Sequence, residues 1–71
     1  MALSEEDTIT FFDDDARQHA IVIVRATNRK VGLCISLEQN GDLEVFVPIA
    51  ESRLILNALR SAISQAEEQV G

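Results

Sequence analysis

The sequence predicts an α+β fold: an antiparallel β-meander of three to four strands followed by one C-terminal amphipathic helix that packs on one face of the sheet. Two neighbouring segments are rich in Val and Ile, the residues that favour strands. Polar turn residues follow them at Asn28 and at Asn40-Gly41. After Pro48 the apolar residues recur at helical spacing. The predicted order is therefore strands first and one helix last.

The 71 residues are predicted to form a single domain, 1–71, in which residues 1–7 are a candidate disordered tail. An apolar content of 46% favours a folded domain in spite of the formal net charge of -6. The core of so short a chain is small and needs support. Cys34 is the only cysteine and His19 the only histidine, which excludes an internal disulfide and a Cys/His metal cage. Self-association is the support that remains.

The first three strands are predicted from local composition. The clearest two run from His19 to Thr27 and from Val31 to Glu38, and a shorter candidate first strand runs from Thr8 to Phe12. A two-residue Asn28-Arg29 loop joins the clear pair as a hairpin. This loop sets apolar residues against one another: Val22 with Ile35, Val24 with Leu33 and Ala26 with Val31.

The turn after the third strand fixes the register of the fourth. A two-residue Asn40-Gly41 loop would set Leu37 against Glu44. A three-residue loop, Gln39 to Gly41 with Gly41 in the left-handed conformation of a bulge, keeps the apolar residues together. We therefore predict a positive φ at Gly41. The predicted pairs are Leu37 with Leu43, Ile35 with Val45 and Leu33 with Val47.

A helix is predicted from Glu51 to about Glu68, after Pro48 ends the fourth strand because it has no amide proton to donate. One side of this helix carries its apolar residues: Ile55, Leu59, Ala62, Ile63, Ala66 and Val70. The opposite side is polar: Arg53, Asn57, Arg60, Ser64, Glu67 and Glu68. A helix with one apolar side packs on one face of the sheet only.

The sheet face turned away from the helix is too apolar for a surface that meets only water. In the predicted register this face carries Ile21, Ile23, Cys34, Ser36 and Phe46. Contiguous exposed apolar surface marks an interaction site. We predict that these residues, Ser36 apart, form the interface of a homodimer. The alternative is that the N-terminal segment folds over this face within one chain, using Leu3, Ile9, Phe11 or Phe12.

The residues that could support catalysis or metal binding do not form a recognisable site. Cys34 lies one strand after the lone His19 without a clear nucleophile and base arrangement, so a small buried hydrophobe is the favoured interpretation. Asp13, Asp14 and Asp15 could hold a divalent cation with His19. Consecutive aspartates on an extended chain point in alternate directions, however, and lack the spacing of a calcium loop. We predict a solvated turn, and a protein that is not an enzyme and has no cofactor or metal.

Three functional hypotheses follow from the charge pattern and the absence of a reaction motif. The leading one is a non-catalytic protein-interaction module, a small regulator, adaptor or accessory subunit that acts as a homodimer and binds another protein. The second is an acidic inhibitor of phage or mobile-element type that mimics nucleic acid or occupies a basic groove, with residues 13–15 as electrostatic contacts. The third is a nucleic-acid-binding protein that uses Arg25, Arg29 and Lys30 around the hairpin tip. The acidic balance weighs against this third hypothesis.

The location of the protein is predicted from the same composition. No apolar run approaches membrane-spanning length. The N-terminus, Met1 to Asp7, is acidic, whereas a secretory signal is basic and then apolar. We therefore predict a cytoplasmic protein with no membrane partner.

Overall fold

The computed structural model of the chain describes residues 6–69. It contains β1 (Glu6–Asp13), β2 (Gln18–Thr27), β3 (Lys30–Leu37), β4 (Gly41–Pro48) and α1 (Ile49–Glu68). The strands form one antiparallel sheet in the order β1-β2-β3-β4. The predicted fold class, a four-stranded antiparallel meander followed by one C-terminal helix, is confirmed.

The N-terminal strand is longer than the sequence predicted. Its pairing with β2 begins at Glu6 opposite Arg25 and ends at Asp13 opposite Gln18. Residues 6 and 7, assigned from sequence to a candidate tail, are therefore part of the sheet, whereas the rest of that tail lies outside the described residues. The segment forms an edge strand and does not fold over a sheet face, which rejects the intramolecular cover for Ile9, Phe11 and Phe12.

The hairpin between β2 and β3 has the predicted loop and the predicted register. Val22, Val24 and Ala26 lie opposite Ile35, Leu33 and Val31. Asn28 and Arg29 have φ values of 49° and 65°. Positive φ at both central residues is the geometry of a type I′ turn, whose twist matches that of the flanking strands.

The turn between β3 and β4 differs in register from the prediction. The loop has three residues, as expected, but these are Glu38 to Asn40, and Gly41, with φ 83°, opens β4 opposite Leu37. The positive φ at Gly41 is confirmed. The other pairs are Ile35 with Leu43, Leu33 with Val45 and Val31 with Val47. A shift of two residues leaves every side chain on its predicted face, because side chains alternate with a period of two.

In this register a polar residue on β2 is hydrogen-bonded to the loop. The Gln39 amide donates to Gln18 Oε1 at 2.8 Å, and Gln18 Nε2 donates to Asn40 Oδ1 at 2.7 Å. The two bonds tie the loop to the end of a strand that does not pair with β4. Matching apolar residues along β3 and β4 could not reveal this tie.

The turn between β1 and β2 is organised by Asp13. Its Oδ1 accepts hydrogen bonds from the amides of Asp15 and Ala16 at 3.0 and 3.1 Å. Its backbone carbonyl accepts from the Arg17 amide at 2.7 Å, and Arg17 has φ 59°. The first aspartate of the acidic run is thus the side chain that shapes the turn.

α1 begins directly after β4, two residues before its predicted start, and covers only a corner of the sheet. The Ser52 hydroxyl donates to the Pro48 carbonyl at 2.9 Å. The first half of α1 and the adjoining strand residues enclose an apolar groove of about 150 Å³. Its lining is Val24, Val31, Leu33, Val47, Ser52, Ile55, Leu56 and Leu59. No residue of α1 between Ile49 and Glu68 is buried, although the sequence predicted a packed apolar side.

Candidate functional site

The four residues of the predicted interface lie on the sheet face turned away from α1. We call this set, Ile21, Ile23, Cys34 and Phe46, the outer patch. Ile23 and Cys34 are direct partners across β2 and β3, as predicted. Cys34 faces Glu44 on its other side, whereas the predicted register had placed Phe46 there. The patch is therefore interrupted by a carboxylate.

Polar pairs cross the same face. An ion pair joins Arg25 Nη2 to Glu44 Oε2 at 2.6 Å, with both side chains 38% exposed. The Ser36 hydroxyl donates to Asp42 Oδ1 at 2.6 Å. These groups share the face with the outer patch, so the apolar surface there is divided by polar groups that water can solvate.

Gly32 makes the ion pair across β3 possible. This buried glycine lies between Arg25 and Phe46 in one row of the sheet. A Cβ at this position would come within 3.1 Å of Arg25 Cγ and 3.3 Å of Phe46 Cε1. The missing side chain leaves room for the arginine to extend over β3 towards Glu44 on β4.

The face under α1 is more uniformly apolar than the outer face. We call it the helix-side face. Asp7 and Asp13, both on the edge strand β1, are the only charged residues that the strands of residues 6–69 place on it. Ala20, at 3% exposure, is the single buried apolar residue in the described part of the chain. The residue types on this face are thus those of a hydrophobic core, but almost none of the side chains is buried.

The part of the helix-side face beyond α1 is not covered by any other segment of residues 6–69. We call it the open half, and its residues are Ile9, Phe11, Ile35, Leu43 and Val45. These side chains are between 44% and 66% exposed. In the sheet register, Ile9, Ile35 and Leu43 belong to one row that also contains Val22. The helical periodicity does not reveal this surface, because a helix with one apolar side is expected to cover the whole face.

The apolar side of α1 is also uncovered over much of its length. We call Ile55, Leu56, Leu59 and Ile63 the helix stripe. The first three line the groove, yet Leu59 is still 55% exposed. Ile63 lies one turn beyond the last groove residue and is 57% exposed. Two apolar surfaces, the open half and the helix stripe, are therefore left uncovered by the rest of residues 6–69.

The residues considered for chemistry are not brought together. His19 is four strand positions from Ile23, the partner of Cys34, a separation of about 13 Å along the sheet. The His19 ring packs edge-on against Phe12 with centroids 5.1 Å apart. Within residues 6–69, no group of three or more His, Cys, Asp or Glu side chains is placed to hold a metal ion.

The predicted electrostatic contacts have different surroundings. The Asp13 carboxylate is bonded to the turn, whereas Asp14 and Asp15 are exposed beside it. Arg29 and Lys30 are exposed at the hairpin tip. Arg25, the third base of the proposed nucleic-acid contact, faces Glu44 in the ion pair described above. The concentrated basic surface that phosphate binding requires is thereby reduced.

Over residues 6–69, no helix combines the length and apolar content needed to cross a membrane. The chain matches no protein-family profile, no curated protein and no solved structure.

Proposed function

We propose that this protein is a non-catalytic interaction module that acts as a homodimer, in the role of a small regulator, adaptor or accessory subunit. The observation that carries the proposal is the mismatch between composition and burial. Large apolar side chains occupy one sheet face and the helix, while Ala20 is the only apolar residue buried in residues 6–69. Exposed apolar surface on this scale is typical of an interface.

Association also supplies the stability that the isolated domain lacks. A small domain with few buried side chains has a folding free energy near zero, because the entropy of ordering the chain offsets the burial. Burial against a second copy adds hydrophobic stabilisation at about 25 cal/mol per Å² of apolar surface. The proposed dimer is therefore a folding unit as well as a functional one.

The alternative hypotheses have less support from the site. The acidic inhibitor would use exposed carboxylates such as Asp14 and Asp15, but Asp13 is engaged in its own turn. The nucleic-acid hypothesis uses Arg25, whose charge is paired with that of Glu44. Both alternatives rest on charge, so their complexes should weaken steeply as salt is added.

The mass of the protein in solution tests the proposal. We expect light scattering over a concentration series to give twice the chain mass of 7.8 kDa at micromolar concentrations. Circular dichroism on the same samples checks that the fold is intact. A well-folded protein that stays monomeric at high micromolar concentration would contradict the homodimer.

A further inference from the structure

We infer that two copies associate through the helix-side face, with the helix stripe of each copy lying on the open half of its partner. This inference rests on the proposed homodimer and specifies its surface. It moves the contact from the outer patch to the opposite face of the sheet.

One helix is too narrow to cover this sheet. Four strands about 4.8 Å apart span roughly 14 Å from β1 to β4, whereas a helix with its side chains is about 10 Å wide. The backbone of α1 comes close to β3 and β4 alone. The open half, which extends across to Ile9 and Phe11 on β1, is beyond its reach.

A second copy provides a second helix without any additional component. Each chain has an open half that needs an apolar cover and a helix stripe that needs an apolar surface. In a two-fold dimer, a contact between surface A of one copy and surface B of its partner occurs twice. The open half and the helix stripe of each copy are then covered together. Each sheet lies against its own helix and against the helix of the partner.

Charge favours the helix-side face over the outer patch. Two copies with a net charge of -6 each repel one another, so a contact between them should bury few carboxylates. The helix stripe is uncharged, and Asp7 and Asp13 lie on the edge strand of the helix-side face. A contact at the outer patch would instead bring the Arg25–Glu44 pair and Asp42 of both copies into or beside the interface. Desolvating such groups costs free energy that apolar burial must offset.

The exposed area also suits a dimer. The chain exposes 5916 Å² at a mass of 7.8 kDa, whereas a monomer of that mass exposes about 4,400 Å². The excess, about 1,500 Å² for the whole chain, is of the same order as the roughly 800 Å² that each partner loses in a standard interface.

Cross-linking between single-cysteine chains tests the inference. Two variants are prepared in a Cys34→Ser background, one with Leu43→Cys in the open half and one with Ile63→Cys in the helix stripe. They are mixed, allowed to exchange subunits and treated with a short bismaleimide. A mixed cross-link can form only between chains, because each chain has one cysteine. We expect the Leu43→Cys and Ile63→Cys chains to be joined to each other.

The matched control moves the helix cysteine to the far side of α1. Leu54 is about 180° from Ile63 and about 140° from Leu59 around the helix axis, and it is 66% exposed. The Leu54→Cys chain should give only background cross-linking with the Leu43→Cys chain. If circular dichroism shows that the Leu43→Cys variant does not fold, Ile35→Cys paired with Leu59→Cys tests the same contact.

Wild-type protein, whose only cysteine is Cys34, provides the competing measurement. A dimer that is cross-linked through Cys34, but not through the Leu43→Cys and Ile63→Cys pair, would place the contact at the outer patch. That result overturns the inference and leaves the homodimer standing. A dimer that forms neither cross-link also overturns the inference. In that case the open half is covered by a different protein or by an edge strand. A folded monomer overturns both proposals, and light scattering distinguishes it from these outcomes.

Discussion

Single side chains determine the turns of this protein. Gln18 holds the loop between β3 and β4, and Asp13 holds the turn between β1 and β2. Both residues lie at the ends of strands, where backbone amides leave the sheet ladder and need new acceptors. The acidic run at residues 13–15 therefore stabilises a turn through Asp13, in addition to contributing negative charge.

The role of Asp13 predicts a difference between neighbouring aspartates. Asp13→Ala removes the acceptor of two amides and should lower the free energy of unfolding by about 1 kcal/mol, or about 4 to 8 °C in Tm for a domain of this size. The Asp14 carboxylate makes no such bond, so Asp14→Ala should leave the free energy of unfolding almost unchanged. Asp13→Asn keeps an acceptor oxygen and should retain most of the stability. Equal losses for the two alanine variants, measured by thermal unfolding, would contradict this role.

Gly41 supports a second prediction at the residue scale. A Cβ at Gly41 would meet nothing within 4 Å, so the cost of a side chain there comes from the backbone conformation at φ 83°. Gly41→Val should cost about 1 to 2 kcal/mol, because a β-branched residue resists the left-handed region. Gly41→Asn should cost less, since asparagine tolerates that region. Denaturant unfolding of the two variants measures the difference, and a valine variant as stable as the asparagine variant would reject the explanation.

At the level of elements, α1 is packed along part of one side only. It follows β4 directly, so its first turns lie over the corner formed by Val31 and Val47. The Ser52 hydroxyl donates to the Pro48 carbonyl at the start of the helix. Its length of 20 residues, about 30 Å, extends well past the groove. The unpacked part of the helix stripe is the surface of α1 that is proposed to contact a second copy.

Two leucines on opposite sides of α1 provide a matched prediction. Within one chain Leu59 is half exposed, and its truncation to alanine would cost only a fraction of a kcal/mol. Covered by a second copy, Leu59→Ala should cost about 2 to 5 kcal/mol, the range for a buried leucine. Leu54→Ala, on the far side, should remain near neutral.

Thermal unfolding at several protein concentrations measures both variants. The Leu59→Ala deficit should appear as a lower Tm that rises with concentration, because dissociation is coupled to unfolding. Ser64→Ala, on the polar side of the helix, serves as a second control. Similar effects of Leu59→Ala and Leu54→Ala would show that the helix stripe is not covered in the assembled protein.

The whole molecule is acidic, which predicts the salt dependence of its assembly. Two chains of -6 give a dimer of -12, and the proposed contact contains no ion pair between copies. Added salt screens the repulsion over a Debye length of about 10 Å at 0.1 M and leaves apolar burial intact. The dimer dissociation constant, measured by sedimentation at increasing NaCl, should therefore fall or stay constant. A dissociation constant that rises steeply with salt would indicate an electrostatic contact instead.

The sequence by itself determined the elements and the faces. Val and Ile content, the turn residues and Pro48 predicted four strands and one helix, because these signals act over a few neighbouring residues. The alternation of side chains then fixed which residues share a face. For that reason the outer patch was placed on the correct side of the sheet even though the register of β4 was wrong by two residues.

Only the tertiary structure decided the register of β4 and the coverage of the sheet. The loop in this register is bonded to Gln18, which is distant in sequence from the loop residues that it contacts. Coverage of the sheet depends on the direction in which α1 leaves β4. Helical periodicity predicts which side of the helix is apolar, but it does not predict which residues that side contacts. The open half thus became visible only when the helix was placed over one corner of the sheet, because burial is a property of elements in space.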